Sequence, residues 1–108
     1  MSLSTHVLNA MTGRPAPGVA VTLESWAASA WQPAAAGSTD ADGRIGDLGS
    51  PAAGRHRITF DTGGYFAALG VASFYPEVSV VFEITEPDRH HHVPLLLSPY
   101  GYTTYRGS

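Results

Sequence analysis

No cysteine occurs among the 108 residues, and that absence excludes a disulfide framework, a thiolate nucleophile and every cysteine-based zinc site. Charge is scarce too. Charged residues make up 14% of the chain, against the ~25% usual for soluble domains, and so thin a surface charge often means that another subunit covers part of it. Six basic residues stand against nine acidic ones, with no Lys/Arg cluster or stripe, so the electrostatic footprint of a nucleic-acid binder is missing. No stretch approaches the roughly 18 apolar residues of a membrane span, and no basic segment leading into an apolar run opens the sequence. A soluble, cytoplasmic protein without membrane or nucleic-acid partners is expected.

What is present reads as short strands separated by strong turn signals. Residues 3–10, LSTHVLNA, alternate with period two: Thr5 and Val7 share one face, His6 and Leu8 the other. The segment TGRPAPG at 12–18 is loop chemistry. VAVTLESW at 19–26 alternates again, and a third, weaker strand is expected around Trp31, because Pro33, Gly37 and the lack of a helical stripe argue against a helix there. TDADGR at 39–44 carries an Asp-Gly turn. GRHRITFD at 54–61 sets Arg55, Arg57 and Thr59 against His56, Ile58 and Phe60, as a half-buried strand does. Residues 63–70, GGYFAALG, are the best helix candidate, too short to stand without packing. PEVSVVFEI at 76–84 places Val78, Val80, Phe82 and Ile84 on one face. Seven or eight short strands at this spacing predict an all-β, antiparallel sandwich forming a single domain over residues 1–108.

Chemistry concentrates at the chain end. Residues 90–108, HHHVPLLLSPYGYTTYRGS, hold three of the five histidines and three of the five tyrosines. In HHHVPLLLS, His92, Pro94 and Leu96 share one face and His91, Val93, Leu95 and Leu97 the other, so both faces carry apolar groups. A strand apolar on both faces is covered on both, and in a two-layer sandwich the second cover comes from another subunit. Histidine serves as acid, base or ligand near neutral pH. His6 and His92 stand beside apolar neighbours, where an unpaired imidazole costs desolvation energy. With His90 they have the residue types of a three-histidine zinc site, although no carboxylate is placed as an evident further ligand. Arg44, directly after the Asp-Gly turn, offers a planar fork for carbonyl or carboxylate oxygens. Ser108 has no sequence signature pairing it with a base.

THVLNAMTGRPAPGVAVTLE, TDADGR, FYPEV and HHHVPLLLSPYGYTTYRGS together resemble the transthyretin-related family, and specifically its enzyme branch, the 5-hydroxyisourate hydrolases. The most specific mark is YRGS at 105–108, with which the enzymes end and which the hormone-carrying transthyretins lack. The resemblance implies two four-stranded sheets with one short helix, and a homotetramer with sites at a subunit interface. It also implies metal-independent and cofactor-free hydrolysis of 5-hydroxyisourate during urate breakdown. By resemblance His6, Arg44 and His92 form the catalytic set: the histidines handle the water and the leaving nitrogen, and Arg44 holds substrate oxygens. Tyr105, Arg106, Gly107 and Ser108 are the implied substrate-pocket wall. Two positions depart from the family pattern. His91 stands where Tyr is usual and is expected to face the core, and Asn9 stands where Asp is common. The rival reading is a transthyretin-like module that carries a small aromatic ligand without turning it over.

Overall fold

Alternating strands bury one face each, and here two sheets bury them against one another. The computed structural model describes residues 2–108. It contains β1 (Leu3–Asn9), β2 (Arg14–Pro15), β3 (Ala20–Ala27), β4 (Ala30–Ser38), β5 (Arg44–Ile45), β6 (Gly54–Phe60), α1 (Thr62–Ala68), β7 (Val78–Ile84), β8 (His91–Ser98) and β9 (Gly101–Thr104). One sheet has the order β2-β1-β8-β9, with β5 also paired to β1; the other runs β4-β3-β6-β7. This is an all-β sandwich with one short helix, and the first sheet is one short strand wider than the expected four. All pairs are antiparallel except β1 with β8, which run parallel over seven residues from Leu3 opposite His91 to Asn9 opposite Leu97.

Between the layers lie Leu3 and Val7 of β1, Val21 and Leu23 of β3, Ile58 and Phe60 of β6, Val78 of β7 and Val93, Leu95 and Leu97 of β8. Phe66 of the helix closes one end of this core. The helix is seven residues long, below the length at which a helix is stable alone in water. It is held by that packing and by Asp61, whose side chain accepts from the Gly64 N–H at 3.0 Å.

The alanine-rich segment after β3 is a strand, as expected, and pairs with β3 through a two-residue turn at Ala28 and Ser29, with φ of 53° and 59°. At its tip Trp26 and Trp31 meet edge to face with centroids 5.2 Å apart. The Arg57 guanidinium lies 4.5 Å from the Trp31 ring centroid and pairs with Glu24 at 2.7 Å, on the outward side of this sheet.

The turn after β4 positions the site. The Asp40 carboxylate accepts from the Asp42 and Arg44 N–H groups at 2.9 and 3.0 Å, an Asx-type closure. Gly43 has φ +74°, and a Cβ there would collide with the Val7 carbonyl oxygen. Only glycine fits both demands. The turn can therefore lie directly on β1, where the Val7 N–H donates to the Gly43 carbonyl at 2.7 Å.

Candidate functional site

The outward face of the first sheet collects the three residues singled out as a catalytic set. In β1 the core takes Leu3, Thr5 and Val7, so Ser4 and His6 point the other way. The close approach of the Asp-Gly turn brings β5 alongside, with Arg44 directly opposite His6. On the other side of β1 the parallel pairing sets Ser4 opposite His92 and His6 opposite Pro94. His6, Arg44 and His92 thus come from three strands that are distant in sequence and adjacent in one sheet.

His92 is held from two sides. Its Nδ1 shares a hydrogen bond with the Ser4 hydroxyl at 2.7 Å, and the same hydroxyl reaches His90 Nε2 at 2.9 Å. His90 Nδ1 in turn meets the Ser2 hydroxyl at 3.2 Å. On the other side the backbone of Gly107 bridges to β8, its N–H donating to the His92 carbonyl at 2.9 Å. A Cβ on Gly107 would collide with His92 Cδ2. The missing side chain gives the imidazole its space.

Burial holds the His92 imidazole below the ordinary histidine pKa, reinforced by neighbouring His6, then His90, then Arg44; a hydrogen bond to the Ser4 backbone opposes them. His92 is thereby kept neutral at neutral pH, with a lone pair free to accept a proton. A neutral imidazole beside an always-charged guanidinium combines a proton acceptor with an anion holder. Among the described residues no group of three His, Asp or Glu side chains converges as a metal site.

The tail divides between two places. Tyr105 and Arg106 line a cleft of about 200 Å³ at the open end of the sandwich, with Val80 and Phe82 of β7 and with His91 and His92 of β8. His92 is the residue common to this cleft and to the His6–Arg44 face. Gly107 lies against His92 itself, and Ser108 is exposed beyond it. His91 does turn inward, but at the mouth of the sandwich rather than within the core: it is half-buried, and its Nδ1 bonds to the Arg89 carbonyl at 2.9 Å. Asn9 is buried, and its amide donates to the Tyr65 hydroxyl at 3.1 Å while its carbonyl oxygen caps the Met11 N–H. Ser4 was not singled out from the sequence. Its one signal is its place two residues before His6 on the same strand face.

Residues 3–107 match the profile described as the HIUase/Transthyretin family. The 5-hydroxyisourate hydrolase of Salmonella dublin is 49% identical over 109 residues, covering 98% of this chain and 80% of the relative. The solved structure of Klebsiella pneumoniae 5-hydroxyisourate hydrolase superposes with a TM-score of 0.88 at 38% identity, with full coverage of both chains. Sea bream transthyretin, solved in complex with thyroxine, superposes with a TM-score of 0.94 at 37% identity, covering 99% of this chain and 95% of that one.

Proposed function

Because the chain belongs to the HIUase/transthyretin family, we propose that it is a 5-hydroxyisourate hydrolase, an enzyme of urate degradation that opens its substrate's ring with water. The product is 2-oxo-4-hydroxy-4-carboxy-5-ureidoimidazoline. The observation that carries this reading is the set of His6, Arg44 and a neutral-biased His92 on one sheet face. His92 takes a proton from the attacking water, with His6 positioning that water. Arg44 holds the substrate oxygens on which negative charge develops, and the histidines return a proton to the ring nitrogen as the C–N bond breaks. Tyr105 and Arg106 contact substrate from the cleft side, and Gly107 and Ser108 complete the wall beside His92. The chemistry draws on no metal or organic cofactor.

The same reading takes the protein to be a cytoplasmic homotetramer. Supporting the assembly, β7 and β9 are the outer strands at one side of the two sheets, with Val81 56% and Tyr102 42% exposed along them. No helix among the described residues is long and apolar enough to cross a membrane.

Generating 5-hydroxyisourate from urate with urate oxidase, and following its ultraviolet decay, tests the activity. Faster decay in the presence of the protein is expected, and a rate equal to the spontaneous one overturns the reading. The likeness to sea bream transthyretin leaves a carrier as the second reading, and saturable binding of a small aromatic ligand without accelerated decay identifies it.

A further inference from the structure

We propose that Ser4 and His90 form a proton path that switches His92 between base and acid, with Ser2 as its outer end. The inference rests on the hydrolase reading and adds positioning residues to it. The contacts run in one line: His92 Nδ1 to Ser4 Oγ at 2.7 Å, Ser4 Oγ to His90 Nε2 at 2.9 Å, and His90 Nδ1 to Ser2 Oγ at 3.2 Å. Each distance is within hydrogen-bond range. A hydroxyl has one proton to give, so Ser4 cannot donate to both imidazoles, and the line has two self-consistent polarities.

In the first, His92 Nδ1–H donates to Ser4, Ser4 donates to His90 Nε2, and His90 Nδ1–H donates to Ser2. His92 Nε2 then carries a lone pair and is a base. When Nε2 takes a proton from water, the Nδ1 proton passes to Ser4 Oγ as Ser4 passes its own to His90 Nε2. His90 releases its Nδ1 proton through Ser2 to bulk solvent. The second polarity results: Ser2 donates to His90, His90 to Ser4, and Ser4 to His92 Nδ1, leaving a neutral His92 with a proton on Nε2, ready for the leaving nitrogen. The reverse shift resets the site, so every proton is accounted for and no imidazolium persists at His92.

Two features favour a path over a single orienting bond. Ser4 is buried and His90 exposed, so the line leads from the sheet face to solvent. The groups on the sheet face also penalise a second proton on His92, namely His6 on β1, His90 and Arg44 on β5, while on the cleft side it shares the lining with His91, Tyr105, Arg106 and the carboxylate of Glu83.

The test combines kinetics with imidazole ¹⁵N spectra. Ser4→Ala should lower kcat on the order of 10- to 100-fold with KM nearly unchanged, and Ser4→Thr, which keeps the hydroxyl, should restore it. His90→Gln can still bond to Ser4 but cannot hand a proton on. It should lower kcat and, by removing a charge that opposes protonation of His92, move the acidic limb of the pH profile upward. Should Ser4→Ala fail to fold, His90→Gln decides alone: wild-type kcat and pH profile in it overturn the path. In the wild-type spectra His90 and His92 should show matching tautomers, and tautomers that vary independently overturn the path even if the protein is active. A wild-type protein with matched tautomers and no hydrolysis would overturn the hydrolase reading instead.

Discussion

At His92 the direction of the pKa shift sets the pH dependence. A base must be neutral to work, and burial together with His6, His90 and Arg44 holds this imidazole below its ordinary value. On the proposed mechanism, kcat/KM should therefore be flat through neutral pH and fall only below the ordinary histidine range, as His92 gains its proton. A limb centred above that range would remove His92 from the base role. His6→Ala, Arg44→Ala and His92→Ala should each reduce kcat/KM by on the order of 10² or more in the ultraviolet assay, with circular dichroism confirming that the sheets persist. His6 and His92 were legible because strand alternation assigns their faces, and Arg44 because a turn signal precedes it directly. Ser4 was not. A strand serine has no distinguishing spacing, and its partners lie 86 and 88 residues away in sequence.

The Asp40–Gly43 turn carries the next expectation. Gly43→Ala combines a positive φ with a collision against the Val7 carbonyl oxygen, so it should destabilise the protein by about 1–3 kcal/mol and displace Arg44 from His6. Gly46, at an ordinary φ and with open space around its Cα, is the control: Gly46→Ala should melt within a degree or two of the parent in a thermal scan. Equal melting of both variants would contradict this account of the turn. The Asp-Gly pair made this turn between the two sheets readable from sequence, and the alternation of 54–61 and 76–84 did the same for β6 and β7. The turn at Ala28 and Ser29 escaped notice because neither residue type favours the left-handed φ it adopts. The parallel course of β1 and β8 escaped for a different reason: alternation reports which face a side chain takes and carries no information about strand direction.

For the molecule as a whole, the sandwich followed from the number and spacing of strands, and the proposal of an assembly rests on β8. On the face away from the core Pro94 is already buried within the subunit, and half-buried Leu96 is the apolar group of that face that a second subunit would cover. If the proposed tetramer uses this face, Leu96→Glu should give a smaller species by light scattering, and an unchanged mass would redirect attention to the β7 and β9 strands. The two added two-residue strands, β2 and β5, lay below what any periodicity can reveal, yet β5 is the piece that delivers Arg44.

Both tryptophans of the chain stand together at the tip of the β3–β4 hairpin, ring edge against ring face, in the sheet that does not hold His6, Arg44 or His92. Their near-ultraviolet optical activity therefore reports on one hairpin alone. The couplet should vanish when that hairpin opens on heating, and it should stay silent as a ligand fills or leaves the histidine face.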